Sequence, residues 1–314
     1  MYTRLNEILS YVPEDIRKIL ENTFRIAGDS ILEIRFRIGR PLIVSLLSGN
    51  FAVLPSGTLS PAVGGAYIVK SSDIRGIFQL ICENSVYAYS DEIKQGFITV
   101  RGGHRVGFTG RAVCDKGKII NIKDISSVNF RVAREVIGAA NEIADRIISQ
   151  NGIKNTLLVS PPMVGKTTVI RDLARQISNK GFKVGIIDDR GEIAAMYKGI
   201  PQNDIGLQTD VVENAPKLES AIMLLRSMSP QVVITDEISC EEDARAVKQC
   251  FGTGVGVIGS AHGITADEIM QKNFLSELIG KGGFETIAVL SPEGTGMNKY
   301  ISFAFSDFSS HNRV

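Results

Sequence analysis

Nine consecutive residues carry the clearest chemistry in this sequence: Ser160-Pro161-Pro162-Met163-Val164-Gly165-Lys166-Thr167-Thr168. An apolar stretch, Thr156 to Val159, feeds into them, and a helical pattern follows at once. A strand, a tight loop and a helix in that order make a phosphate-binding loop. Backbone N–H groups of such a loop and of the helix N-terminus bind anionic phosphate. Lys166 would place a positive charge on the β- and γ-phosphates of ATP, and the Thr167 hydroxyl could ligate Mg²⁺. Two positions depart from the general pattern. Ser160 stands where the first Gly belongs, and Met163 stands where another Gly is frequent. A missing Gly removes backbone freedom, so the expectation is weak affinity or slow turnover.

A second group of residues lies further along the chain. Gln231 to Thr235 is an apolar strand pattern that ends in Asp236-Glu237. In phosphate-loop enzymes an Asp at this place holds Mg²⁺, and a neighbouring carboxylate can polarise the attacking water. The strand pattern Lys183 to Ile187 ends in Asp188-Asp189-Arg190-Gly191-Glu192. Ligands of open α/β sheets bind at such strand ends. A turn followed by a helix N-terminus would attract the same acids. The strand pattern Val255 to Gly259 ends in Ser260-Ala261-His262-Gly263, which makes His262 a candidate sensor of the γ-phosphate. A satisfied structural histidine is the alternative there. The motif pair, loop and Asp-Glu strand end, points to hydrolysis of ATP rather than to phosphate binding alone.

These residues need a frame of strands whose carboxyl ends converge. The spacing predicts helices over 166–177, 218–228 and 241–251, with strands between them, and two closing strands at Glu285–Leu290 and Tyr300–Phe305 joined by a Gly-rich turn. The first half reads differently. A helix follows Val12-Pro13-Glu14-Asp15 and ends at Gly28. Ile31 to Ile38 alternates apolar residues with Glu33, Arg35 and Arg37, so a half-buried strand shows arginines on one face. Further strands are expected at Leu42–Leu47 and Ala66–Lys70, and a helix capped by Ser72-Asp73 runs to Cys82. Phe97 to Val132 reads as antiparallel strands, with a turn at Asp115-Lys116-Gly117. Arg101, Arg105, Arg111, Arg131 and Arg134 recur across it. They form either a solvated sheet face or a basic face that meets polyphosphate bound elsewhere. The expected division is an N-terminal α/β domain over 1–137, a linker helix over 138–155 and the ATPase domain over 156–314.

With 314 residues, 44% hydrophobic and 22% charged, the chain is of the globular class and long enough for two domains. A net charge of +1 gives no support for bulk attraction to nucleic acid or membrane, so no nucleic acid is expected as a partner. The four cysteines are scattered and read as reduced thiols, and three histidines without a Cys/His cluster argue against structural zinc. The N-terminus is too charged for a signal peptide, and no apolar run reaches the roughly 20 residues that span a bilayer.

The order of these features resembles the RecA-like ATPases of type II and type IV secretion and of pilus retraction. More closely, GGHRVGFTGRAV, ISSVNFRVARE, PPMVGKTTVIRDLAR, DDRGEIA, LLRSMSPQVVITDEI and GSAHG are similar to the stage III AA sporulation family of spore-forming Firmicutes. The resemblance implies a RecA-like ATPase domain behind a smaller N-terminal α/β domain with an antiparallel sheet. It implies an acidic box at Asp188, Asp189, Arg190 and Glu192, a histidine box at His262, and ATP and Mg²⁺ as cofactors. It also implies a homo-oligomer, expected to be a hexameric ring, in which arginines such as Arg101 and Arg105 close the nucleotide site of a neighbour. The cellular role implied is that of a cytoplasmic, mother-cell ATPase held on membrane proteins of a secretion-like channel to the forespore. Two rival readings remain. One is a nucleic-acid-linked ATPase of the same fold. The other is a nucleotide-binding scaffold with little hydrolysis, for which Ser160 and Met163 are the evidence.

Overall fold

The computed structural model describes residues 2–149, 152–280, 283–293 and 300–308. The chain forms two units. The first comprises residues 1–134 together with 197–202, and the second comprises 135–196 and 203–314.

The first unit is built on a seven-stranded antiparallel sheet. Its order is Leu59–Ser60, Gly49–Val53, Ile43–Leu46, Ile31–Arg37, Lys118–Arg131, Arg105–Asp115 and Phe97–Thr99. Alternation works as the sequence suggests. Ile34 and Phe36 are buried, and Phe36 meets Phe130 edge-on at 6.0 Å. The helices Glu14–Ala27 and Ser71–Ile81 bury Ile16, Leu20, Ile74 and Ile77 in the same core. Ala66–Lys70 is not a strand. It contributes one bridge, Pro41 to Ile68, because the segment turns directly into the Ser71–Ile81 helix. Asp73 starts that helix by accepting the Lys70 N–H at 2.7 Å, and the Tyr67 hydroxyl donates to the same carboxylate at 2.8 Å. The Lys116 and Gly117 φ angles, 47° and 78°, make the tight hairpin turn that joins the two longest strands.

The expected basic face carries its own counter-charges. Glu33 lies 2.7 Å from Arg35 and 4.0 Å from Arg131, Glu7 lies 3.4 Å from Arg101, and Asp124 lies 3.2 Å from Arg111. Arg105 lies over the Phe97 ring at 4.2 Å.

The second unit is an open sheet whose order is Thr209–Glu213, Val184–Asp188, Val232–Glu237, Gly256–His262, Thr156–Ser160, Thr286–Glu293 and Tyr300–Asp307. The first six strands run parallel and the last is antiparallel. Parallel strands are covered on both faces, which is why Thr156–Ser160 and Val184–Asp188 are buried at every residue. The chain leaves Thr156–Ser160 through the Lys166–Asn179 helix and crosses two strands to reach Val184–Asp188. That crossover places the carboxyl ends of the central strands at a switch point, the usual ligand crevice of such sheets.

The stretch 138–155, expected as a linker, is part of this second unit. Its helix is short, Asn141–Ile147, and Ala140, Ile143, Ala144 and Ile147 are buried against the Lys166–Asn179 helix and its surroundings. The Ala140 N–H donates to the buried Asp172 at 2.9 Å. The closing strands run longer than expected, from Thr286 to Glu293 and from Tyr300 to Asp307, whereas most of the Gly-rich turn between them, 294–299, lies outside the described residues.

Candidate nucleotide site

Four parallel strands end side by side, and each ends in a residue singled out by the sequence. Ser160 is in register with His262, Ile187 with Thr235, and Glu237 with Ser260. Pro161 to Gly165 form the loop that follows Ser160, and Lys166, Thr167 and Thr168 open the helix.

The structure relocates the effect of the two missing glycines. Ser160 has extended backbone inside the strand and no positive φ, so no glycine is required there. Its side chain is fully buried, with Oγ lacking a hydrogen bond. The strain sits at Met163, whose φ is +65° and whose side chain is fully exposed at the loop tip. A non-glycine residue in that region costs about 1–3 kcal/mol when held there. Gly165 has φ +109° at the helix start, and a Cβ on it would lie 3.0 Å from Ile301 Cδ1. Glycine is therefore demanded twice over at 165 and not at 160.

The polar groups around the loop are short of partners. Six buried side-chain atoms among the described residues lack a hydrogen bond, and five of them belong to Ser160, Lys166, Thr235 and Asp236. Unsatisfied buried groups are costly, on the order of 1–3 kcal/mol each, so their concentration at one sheet edge marks a place made for a polar ligand. Burial lowers the pKa of Lys166, opposed by the charges of Glu237 and Asp236. Burial also pushes the Asp236 carboxyl up to about 6, against the pull of Lys217 3.3 Å away. An anion beside Lys166 and a cation beside Asp236 would complete both groups. The residues present thus fit a nucleotide and a divalent cation, which Thr167 and Asp236 would hold.

Glu237 is held from two sides. Its Oε2 lies 3.0 Å from Arg190 Nη2 and 3.2 Å from His262 Nε2. His262 Nδ1 donates to the Ser160 carbonyl at 3.3 Å, and Lys272 donates to the His262 carbonyl at 2.7 Å. Both ring nitrogens thus face oxygen acceptors, and the imidazole bridges the phosphate-loop strand to Glu237.

The acidic segment divides its labour. Asp188 is fully buried and accepts the N–H groups of Glu192 at 2.9 Å, Ile193 at 3.1 Å and Ala194 at 2.9 Å. It shapes the segment rather than facing a ligand, and burial pushes its pKa up against those donors. Arg171 of the Lys166–Asn179 helix donates to the Glu192 and Ile193 carbonyls at 2.6 and 2.8 Å. Asp189 reaches Lys217 at 3.2 Å. The second unit therefore brings together Lys166, Arg190, Glu192, Asp236, Glu237 and His262, whereas Arg101 and Arg105 are carried by the first unit.

Lys217, Asp243, Arg171 and Thr235 were not singled out by the sequence. Lys217 offered one signal: a lysine at the first position of a helix stands at the end where acids are favoured.

A parallel sheet with a phosphate-loop sequence at its switch point, following an antiparallel α/β unit along the chain, is the architecture of the RecA-like secretion and pilus ATPases. The structure is similar to the ATPase DotB of Legionella pneumophila, with a TM-score of 0.58 and 14% identity over 94% of this chain and 80% of that one. It is similar also to the pilus retraction motor PilT with bound ADP, with a TM-score of 0.60 and 15% identity over 94% and 84%. The sequence itself places the chain in one family: it belongs to the family described as sporulation stage III, protein AA, whose model matches residues 2–300. It is 37% identical over 293 residues to stage III sporulation protein AA of Bacillus subtilis, covering 91% of each chain.

Proposed function

We propose that the protein is an Mg²⁺-dependent ATPase that works as a hexameric ring and energises assembly of, or transport through, a channel complex between mother cell and forespore. The observation that carries this reading is a pair of buried polar atoms without a hydrogen bond, Lys166 Nζ and Asp236 Oδ2, at the crevice where four strands end, with Asp236 Oδ1 met only by the Lys217 ammonium at 3.3 Å. Their chemistry asks for a polyphosphate and a divalent cation together. In the family relative and in the fold neighbours the names speak of sporulation, an ATPase and a pilus motor with ADP.

Each residue then has a task. Backbone N–H groups of the loop and of the first turn of the Lys166–Asn179 helix bind the phosphates. Lys166 follows the charge on the β/γ-phosphates. The metal, when bound by Thr167 and Asp236, supplies charge neutralisation on the phosphate oxygens. Glu237 accepts a proton from the attacking water. Arg190 and His262 fix the Glu237 carboxylate, and its release from Arg190 is the step that readies it. Glu192, on the segment shaped by Asp188 and braced by Arg171, adds a second carboxylate near Lys166. Arg101 and Arg105 come from a neighbouring copy and stabilise the charge that develops on the γ-phosphate, a contribution of about 10³-fold or more for an arginine finger. No helix among the described residues is long and apolar enough to cross a membrane, so the membrane association proposed runs through partner proteins.

Phosphate release tests the reading. Lys166→Ala abolishes nucleotide binding, whereas Glu237→Gln keeps binding and lowers turnover by about 10²-fold or more. Arg101→Ala and Arg105→Ala subunits are inactive alone and regain part of the activity when mixed with Glu237→Gln subunits. Light scattering with and without ATP and Mg²⁺ reads ring formation. Equal phosphate release from wild type and Glu237→Gln would remove Glu237 from the chemistry, and a strict monomer at all concentrations would remove the ring.

A further inference from the structure

One lysine of the chain occupies the meeting point of three carboxylates beside the metal-holding position. Lys217 Nζ lies 3.2 Å from Asp189 Oδ2, 3.3 Å from Asp236 Oδ1 and 3.4 Å from Asp243 Oδ1. Its side chain is 7% exposed. The three acids come from separate segments: the acidic segment after Val184–Asp188, the end of Val232–Glu237, and the first turn of the Glu241–Gly252 helix. Lys217 is the first residue of its own helix, where the helix dipole disfavours a cation. Burying an ammonium there costs several kcal/mol before its partners repay it. The carboxylates are what hold it.

The three are not held alike. Asp243 also accepts the Ser239 N–H at 2.8 Å and the Ser239 hydroxyl at 2.9 Å. Asp189 is partly exposed to water. The Asp236 carboxylate oxygens are buried and neither makes a hydrogen bond; Lys217 is their ion-pair partner. One ammonium among three carboxylates leaves the cluster short of positive charge, and the shortfall falls on Asp236.

We propose that Lys217 is a tethered counter-ion that competes with the divalent cation for Asp236, so that metal loading shifts the lysine onto Asp189 and Asp243. This rests on the reading of Asp236 as a metal-holding residue. Lys217 would be a positioning residue: it sets how tightly the metal–nucleotide pair is held and ties the first turn of its helix to the filling of the site. The competition gives it a sign that a structural role lacks. Removing the ammonium strengthens metal binding, although it weakens the packing of the cluster.

The test is Mn²⁺ titration of the full chain by electron paramagnetic resonance, with saturating non-hydrolysable ATP analogue, beside titration of the same analogue in EDTA. Lys217→Met should bind Mn²⁺ about tenfold tighter than wild type, and bind the metal-free nucleotide no tighter. Lys217→Arg, which keeps the charge, should stay within about threefold of wild type. Asp243→Asn removes a carboxylate that draws Lys217 away from Asp236, and should weaken Mn²⁺ binding by about threefold or more while keeping the Ser239 bonds. If Lys217→Met fails to fold, Lys217→Gln takes its place with the same expected tightening, and Asp243→Asn is made in that background as well: its weakening of Mn²⁺ binding should be smaller there than with Lys217 present, because the part that runs through the lysine is gone. Wild-type Mn²⁺ affinity in both variants, with only a lowered melting temperature, would overturn the inference and leave the ATPase reading standing. A wild-type protein that binds neither the analogue nor Mn²⁺ would overturn both.

Discussion

The histidine of the GGHR segment should make the first unit sensitive to mild acid. His104 is fully buried. Its Nε2–H donates to the Arg4 carbonyl at 2.8 Å, and its Nδ1 accepts the Ala133 N–H at 3.1 Å. The ring ties the Tyr2–Leu9 helix to the segment that follows the Lys118–Arg131 strand, and it can do so only as the neutral Nε2–H tautomer. A proton on Nδ1 would face the Ala133 N–H donor. Burial accordingly holds the imidazole down to about 4, below its ordinary 6.5. A histidine with a depressed folded pKa stabilises fully above its unfolded pKa and loses that contribution as pH falls toward the folded value. The whole shift corresponds to about 3 kcal/mol. Between about pH 7.5 and about pH 5 the loss should be about 2 kcal/mol. Hydrogen exchange of peptides covering 97–108 and 128–133 reads this locally, in denaturant, without requiring the two units to unfold together. His104→Gln should be less stable at pH 7.5 and lose most of the pH dependence. The ¹⁵N shifts of the ring report the tautomer directly. An unchanged exchange free energy down to about pH 5, or Nδ1–H in the spectrum, would refute the argument.

Met163→Gly relieves the left-handed backbone but frees the unfolded chain, so stability should move by less than about 1 kcal/mol, whereas Met163→Val should lose about 1–2 kcal/mol in urea unfolding and weaken nucleotide binding severalfold. Equal nucleotide affinities for the two variants would show that the loop does not need this conformation. Asp188→Asn leaves several backbone donors competing for one neutral oxygen; a loss of about 2–3 kcal/mol and faster exchange over 189–196 are expected, with a fall in turnover but not in nucleotide binding. Asp172→Ala strands the Ala140 N–H and Arg175, paired to it at 2.7 Å. It should lower the melting temperature of the second unit by several degrees with little effect on turnover per folded molecule, since about 2–4 °C follows each kcal/mol in a unit of this size.

What could be read in the sequence follows from what each signal depends on. The parallel strands of the second unit were legible because they are apolar and end in polar residues, and the loop was legible because Gly165-Lys166-Thr167 has few other uses. Ser160 was misjudged for a physical reason. The motif assigns glycine by position, but what demands glycine is φ, and Ser160 is extended while Met163 is left-handed. The edge strand Thr209–Glu213 was not predicted, since every residue in it is only half-buried and carries weak periodicity. Lys217 gave little away, for a different reason. Its meaning comes from three acids that lie 28, 19 and 26 residues away in the chain, and only the sheet order brings them to one ammonium. The acids at strand ends were found because strands announce where they stop. Their counter-ion sits on a helix that merely passes by. A site like this one is therefore half-written in the sequence: the loop, the strand-end acids and Arg190 stand in motifs, while the contacts between them, Lys217 with Asp236 and Arg190 with Glu237, are made by the fold.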